Sequence, residues 1–165
     1  METVYFKGNE CHTCGNLPSV GSTAPDFSLV TPELKEVGLS DFPGKKIVLN
    51  IFPSLDTPVC ATSVRRFNEK AAGKKDAVVL CVSVDLPFAA GRFCTLEGLK
   101  DVIPASAFRS SEFARSYGVE LVDGPLKGLL TRAVVIIDSD RKVIYRELVD
   151  EITGEPDYDA ALGML

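Results

Sequence analysis

The chemistry in this sequence is best sought at Cys60, which closes the stretch Pro53-Ser54-Leu55-Asp56-Thr57-Pro58-Val59-Cys60 between the apolar run Ile47 to Phe52 and the amphipathic run Ala61 to Ala72. Thr57 is a good helix N-cap, and Pro58 suits the first helical position, where its missing N–H costs nothing. Cys60 then falls in the first helical turn, whose unpaired N–H groups carry a partial positive charge of roughly half an elementary charge. A sulfur in such a turn is favoured as thiolate, the form that attacks electrophiles. The competing reading is plain packing, since free cysteine is among the most buried residue types. The cap, the proline and the strand-turn-helix context favour chemistry.

The remaining candidates are fewer. Cys11-His12-Thr13-Cys14 has C-x-x-C spacing, which suits a redox pair or half of a zinc site, but no strand-to-helix signal surrounds it. Incidental or structural thiols and an accessory disulfide both stand as readings of it. Cys81 lies between Leu80 and Val82 in an apolar run and reads as core. His12 is the one histidine, so a Cys-His catalytic pair requires the N-terminal segment to fold over Cys60. Neither G-x-G-x-x-G nor G-x-x-x-x-G-K-[ST] occurs.

Composition narrows the class. A chain of 165 residues suits one domain, read as 1–165. A net charge of -5 argues against nucleic acid as partner. Apolar runs fall far short of the roughly 20 residues that span a bilayer, which argues against membrane insertion. The first ten residues hold Glu2, Lys7 and Glu10 and no apolar stretch of signal-peptide type. With an odd set of five cysteines, this points to a cytoplasmic protein with working or structural thiols rather than a secreted disulfide scaffold.

The elements that must position Cys60 follow from periodicity. Ile47 to Phe52 is short, apolar and rich in β-branched residues, as a strand buried on both faces reads. Cys60, Val64, Phe67 and Ala71 recur at helical spacing, and Gly73 supplies a stop. Ala77 to Val84 is a second buried strand, so residues 47 to 84 form a βαβ unit with parallel strands. Asp85-Leu86-Pro87 opens a helix over Phe88 to Phe93, ending near Cys94 and Gly98, and Val102-Ile103 is a minor strand. Ser110 or Ser111 caps a helix through Tyr117. Ala133 to Ile137 and Lys142 to Val149 form an antiparallel hairpin across the turn Asp138 to Arg141, and a last helical turn follows Asp157. Thr3 to Phe6 forms a short strand before a turn at Gly8-Asn9, Phe27 to Val30 another strand, and Pro32 to Gly44 a turn-rich loop. A βαβ unit, a connecting helix, a β-hairpin and a terminal helix make the order of the α/β thioredoxin-like fold: a central mixed sheet flanked by helices, here with an N-terminal β extension.

In several ordered blocks the sequence resembles the thiol peroxidase branch of the peroxiredoxins, of the atypical two-cysteine type. The blocks are Leu49 to Ser54 with Asp56-Thr57 and Val59-Cys60, Ala89 to Cys94, Asp123 to Leu129, Arg132-Ala133-Val134, Leu148 to Thr153 and Glu155 to Tyr158. The resemblance implies that Cys60 is the peroxidatic cysteine and Cys94 the resolving one. It implies that Thr57 and Arg132 complete the site and that Pro53 shields it. It further implies hydroperoxide substrates including organic ones, reduction by thioredoxin, a homodimer, and no metal, haem or flavin cofactor. Cys11 and Cys14 lie outside the family pattern.

Each of these residues has a physical task in that chemistry. Attack of a thiolate on a peroxide moves negative charge along the O–O axis, and fixed donors aimed at that charge lower the barrier, often by about 3 to 4 kcal/mol each. Arg132 is permanently charged and opens a strand, a rigid place from which to aim; the alternative for a lone arginine is a solvated surface. Thr57 can donate its hydroxyl to the peroxide while its oxygen accepts from the helix start. A sulfenic acid on Cys60 needs a second thiol before overoxidation becomes irreversible, and Cys94 ends a helix short enough to loosen.

Overall fold

The computed structural model describes residues 1–165. Its main sheet is built from β3 (Leu29–Val30), β4 (Glu36–Val37), β5 (Lys46–Ile51), β6 (Ala77–Ser83), β7 (Ile103–Ser106), β8 (Ala133–Ile137) and β9 (Val143–Leu148), in the spatial order β4-β3-β7-β6-β5-β8-β9. β5, β6 and β7 run parallel, whereas β8 lies antiparallel to β5 and to β9. This is the mixed sheet of the thioredoxin-like fold. β1 (Thr3–Phe6) and β2 (Asn9–His12) form a separate hairpin.

The central strands are buried on both faces, and their alternation sorts side chains between two cores. Ile47, Leu49, Ile51, Val135 and Ile137 point to one core, which they share with Phe113 and Tyr117 of the α3 segment (Ser111–Ser116 and its C-cap). Val48, Val134 and Ile136 point to the other, covered by α1 (Pro58–Ala71), α2 (Pro87–Glu97) and α4 (Tyr158–Leu162). Phe67 of α1 is fully buried there and meets the ring of Tyr158 edge-on at 5.3 Å, which ties α4 to α1. Burial of such a side chain stabilises by roughly 1.5–3 kcal/mol. No helix is long and apolar enough to cross a membrane.

Several boundaries differ from those read in the sequence, each for a local reason. α2 runs through Phe93 and Cys94 to Glu97, at the Gly98 end of the range read, and its Gly91 lies on Pro32, where an added Cβ would stand at 3.0 Å. Its end is a left-handed Gly98 whose N–H reaches the Cys94 carbonyl, and Leu99 N–H bonds the same oxygen at 3.0 Å. The minor strand at 102–103 is the full β7, paired with β6. The loop 32–44 contains β4 and a 3-10 turn over Leu39–Asp41. Ser110 occupies the N-cap of α3 without capping it, since its hydroxyl donates to the Ser28 carbonyl instead. The N-terminal turn lies at Lys7-Gly8, both with positive φ, one residue earlier than the sequence suggested.

Gly118 ends α3 with φ of +67° and lies so close to the Asn16 backbone that a Cβ would meet its atoms at 2.4 to 2.6 Å. Gly128, with φ of +89°, has open space around it. Left-handed strain alone costs an alanine about 1–2 kcal/mol, and forced overpacking adds about 1–3. Gly118→Ala is therefore expected to lower the urea unfolding free energy by roughly 2–5 kcal/mol and Gly128→Ala by about 1–2. Equal losses in the two variants would contradict the close approach of residues 16 and 118.

Candidate active site

Thr57 is the N-cap residue of α1 and Pro58 its first helical residue, so Cys60 is third in the helix, as its spacing indicated. Three anchors fix this turn. The Asp85 carboxylate accepts from Ser54 Oγ and from Leu55 N–H, both at 2.8 Å, and from Ser83 Oγ at 2.6 Å, clamping the approach to α1 onto the end of β6. Ser63 Oγ donates to the Cys60 carbonyl at 2.8 Å, and buried Asn50 on β5 donates to that Ser63 oxygen at 3.3 Å. Arg132, just before β8, supplies the third. Its Nε donates to the Ile152 carbonyl at 2.8 Å, and its Nη2 reaches Cys60 Sγ at 3.1 Å.

The electrostatics of this contact are unusual. Arg132 is 2% exposed and Cys60 fully buried. None of the ion pairs in the molecule includes Arg132, so no carboxylate balances its charge. A buried guanidinium without a counter-charge costs several kcal/mol, and the Cys60 sulfur is the group set against it. Arg132 Nη1 is also buried and bonds nothing within the protein. It is a free donor beside the sulfur.

Next to this contact is a cavity of about 250 Å³ lined chiefly by apolar groups, with Pro53, Thr57, Pro58 and Val59 on one side and Arg132 and Ile152 on another, while the fully buried Cys60 is not itself part of the lining. Phe6 and Lys7 of the β1–β2 hairpin and Leu126 and Leu129 of the 123–130 loop complete it. The N-terminal segment does fold over the site, as a Cys-His pair would need. His12, however, is held by Asp123 and Glu10, with ring nitrogens 2.7 and 3.0 Å from their carboxylates, and is not among the cavity residues. Its hydrogen bond to Asp123 raises its pKa.

Thr57 differs from expectation in one respect. Its carbonyl accepts from Ala61 N–H at 3.0 Å, but its hydroxyl donates to the Ser54 carbonyl at 3.1 Å and caps no helical N–H. The hydroxyl hydrogen is therefore engaged, and the oxygen presents lone pairs, making Thr57 an acceptor rather than a donor toward the cavity.

All five cysteines are free thiols. Cys94 lies in the last turn of α2, half-buried, and burial pushes its pKa up to about 11. Cys81 is core, as read, with burial pushing it up to about 12. Cys11 and Cys14 flank an extended run in which Cα atoms three residues apart stand roughly 10 Å from each other, beyond the ~7 Å limit of a disulfide. Cys11 packs against Gly124, and Cys14 Sγ lies 3.4 Å from the Ala114 carbonyl, so the two sulfurs face separate surroundings. No group of three or more His, Cys, Asp or Glu side chains converges as a metal site would.

Asp85, Asn50, Ser63 and the Ile152 carbonyl position the reactive groups without having been singled out for that in the sequence. The serine and asparagine carried a faint signal, polar residues at positions whose neighbours are apolar.

Residues 19–162 match the Redoxin family model. The chain is 57% identical over its full length to the thiol peroxidase of Corynebacterium glutamicum and 55% to that of Mycobacterium tuberculosis, covering 99% of each. Among solved structures, a peroxiredoxin-like protein from Aquifex aeolicus superimposes with a TM-score of 0.94 at 43% identity, spanning 99% of this chain and 95% of that one. The thiol peroxidase from Chromobacterium violaceum shares the fold, with a TM-score of 0.90 at 22% identity over 98% of this chain and 94% of its own. With a buried cysteine under an arginine at a strand-to-helix junction, the chain belongs to the redoxin family, as a peroxiredoxin-type enzyme of the thiol peroxidase kind.

Proposed function

We propose that the chain reduces hydrogen peroxide and organic hydroperoxides at Cys60, with Cys94 as resolving thiol and thioredoxin as reductant. The observation that carries this reading is the buried contact between Arg132 Nη2 and Cys60 Sγ, with no carboxylate competing for the guanidinium.

The Cys60 sulfur attacks the nearer peroxide oxygen in line with the O–O bond. The S–O bond forms as the O–O bond breaks, and the far oxygen leaves with the bonding pair, taking a proton to become water or an alcohol. Arg132 Nη1 donates to the peroxide while Nη2 stays on the sulfur, so one rigid fork aligns both reactants. The Thr57 oxygen accepts the hydroperoxide O–H, which orients the terminal oxygen. The apolar walls of Phe6, Leu126 and Leu129 suit the organic group of a larger hydroperoxide.

The product is a sulfenic acid on Cys60. Cys94 condenses with it, forming an S–S bond and releasing water, and a dithiol then returns two electrons and two protons. In the folded last turn of α2 the Cys94 thiol, raised to about 11, is almost wholly protonated at neutral pH. Loosening of that turn exposes it, returns it toward the ordinary thiol range near 8.5 and frees it to move.

Thioredoxin-coupled turnover of hydrogen peroxide is expected in the wild type and absent in Cys60→Ser. Arg132→Lys should slow Cys60 oxidation by about 10²–10³-fold, as loss of a positioned donor does; a rate within a factor of about two of wild type removes the guanidinium from the mechanism. Peptide mapping after one equivalent of peroxide is expected to show a Cys60–Cys94 disulfide, with Cys11→Ser/Cys14→Ser retaining most activity. A Cys60 linkage to either N-terminal cysteine would overturn the assignment of Cys94.

Gly98 holds the α2 cap at φ of +65°. Gly98→Ala should loosen that turn by roughly 1–2 kcal/mol and raise the alkylation rate of Cys94 severalfold at pH 7. An unchanged rate would show that the cap does not restrain Cys94.

A further inference from the structure

Arg132 is aimed by a single carbonyl, and that carbonyl belongs to a segment with unusual anchoring. Ile152 O takes the guanidinium Nε at 2.8 Å. Ile152 N–H in turn bonds the Tyr5 carbonyl at 2.8 Å, and Tyr5 N–H bonds the Asp150 carbonyl at 2.6 Å, so the peptide that orients the arginine is stitched to β1. Between these two links stands Glu151.

Its carboxylate gathers both sides of the seam. Oε1 accepts from Lys7 N–H at 2.9 Å, from Thr153 N–H at 3.2 Å and from Thr153 Oγ1 at 2.8 Å, while Oε2 accepts from Gly8 N–H at 3.0 Å. Lys7 and Gly8 are the two left-handed residues of the β1–β2 turn, and a turn of this kind leaves its N–H groups pointing outward for want of a local acceptor. Without Glu151 nothing else bonds them to the body of the protein. Phe6 and Lys7 on one side, and Ile152 and Thr153 on the other, are also walls of the cavity above Cys60.

We propose that Glu151 is a positioning residue for the peroxidase reaction: by clamping the Lys7-Gly8 turn to the Thr153 backbone, it fixes the Ile152 carbonyl and, through it, the guanidinium of Arg132 on Cys60. This rests on the reading of Cys60 and Arg132 given above. Glu151 touches neither the sulfur nor the guanidinium and acts through the peptide between them.

The clamp depends on a negative charge. The N–H groups of Gly8, Lys7 and Thr153, with the Thr153 hydroxyl, hold the Glu151 carboxyl down to about 2. A depressed carboxyl contributes above its ordinary pKa and is lost as pH falls toward the depressed one, so the clamp stays intact through the neutral range. No cation forms an ion pair with Glu151, so its charge is held by these four donors alone. Glutamine is the informative replacement. It retains an acceptor at Oε1 but sets an NH₂ group against Gly8 N–H, whereas alanine removes both acceptors.

The test is a double-mutant cycle on single-turnover oxidation of Cys60 by hydrogen peroxide. Glu151→Ala should slow oxidation by about tenfold and Glu151→Gln by less, as a small misplacement of a reacting group does. In an Arg132→Lys background Glu151→Ala should change the rate less than about twofold, because the group it positions has gone. A Glu151→Ala rate equal to wild type, or the same loss in both backgrounds, overturns the inference; should the alanine variant not fold, the glutamine variant carries the same cycle. If Arg132→Lys alone leaves oxidation unchanged, the reading of Arg132 is what has failed.

Discussion

A permanently charged guanidinium buried against a buried sulfur is the constraint around which this molecule is arranged. Charge is taken out of water at Arg132 without a carboxylate to receive it, and the group set against it is the Cys60 sulfur. The same contact leaves Nη1 buried without a partner. Stability and reactivity therefore pull in different directions here. The fold keeps an unpaired donor and a buried charge at some cost to its stability.

The rest of the scaffold holds two small pieces in register. The α1 start is fixed from below by Asn50 and Ser63 and from the side by Asp85, which between them hold the Cys60 carbonyl and the Leu55 N–H. Arg132 arrives from β8, the neighbour of β5 in the sheet, which places the guanidinium across one strand spacing from the helix that follows β5. The antiparallel pairing of these two strands brings the start of β8 beside the end of β5, since Ile51 lies opposite Ala133. That register alone delivers residue 132 to the mouth of the strand-to-helix turn.

Much of this was legible from local patterns. The β5 strand, the Thr57-Pro58 helix start and the β8–β9 hairpin are written in short-range periodicity and capping, where neighbouring residues decide the outcome. The hydroxyl of Thr57 was misjudged because a carbonyl three residues back competes with the helix for it, a choice that sequence spacing leaves open. The end of α2 was legible too, since Gly98 is the left-handed cap its sequence position suggested. The hairpin over the cavity and the Ile152 carbonyl on Arg132 were not legible at all. The first joins residues more than a hundred positions apart and the second residues twenty apart on separate segments, and no local pattern in either partner announces the other.

The end of α2 is attached to α1 by Arg65, which grips Glu97 through two hydrogen bonds of 2.9 and 3.0 Å and lies over the Phe93 ring. This tether is Coulombic and on the surface, and the thiol it restrains is Cys94. Mobile ions weaken such attractions over about 8–10 Å at physiological strength. The hold on the end of α2 accordingly slackens in concentrated electrolyte and tightens in dilute solution, so the medium around the protein helps set how freely the turn that carries Cys94 moves.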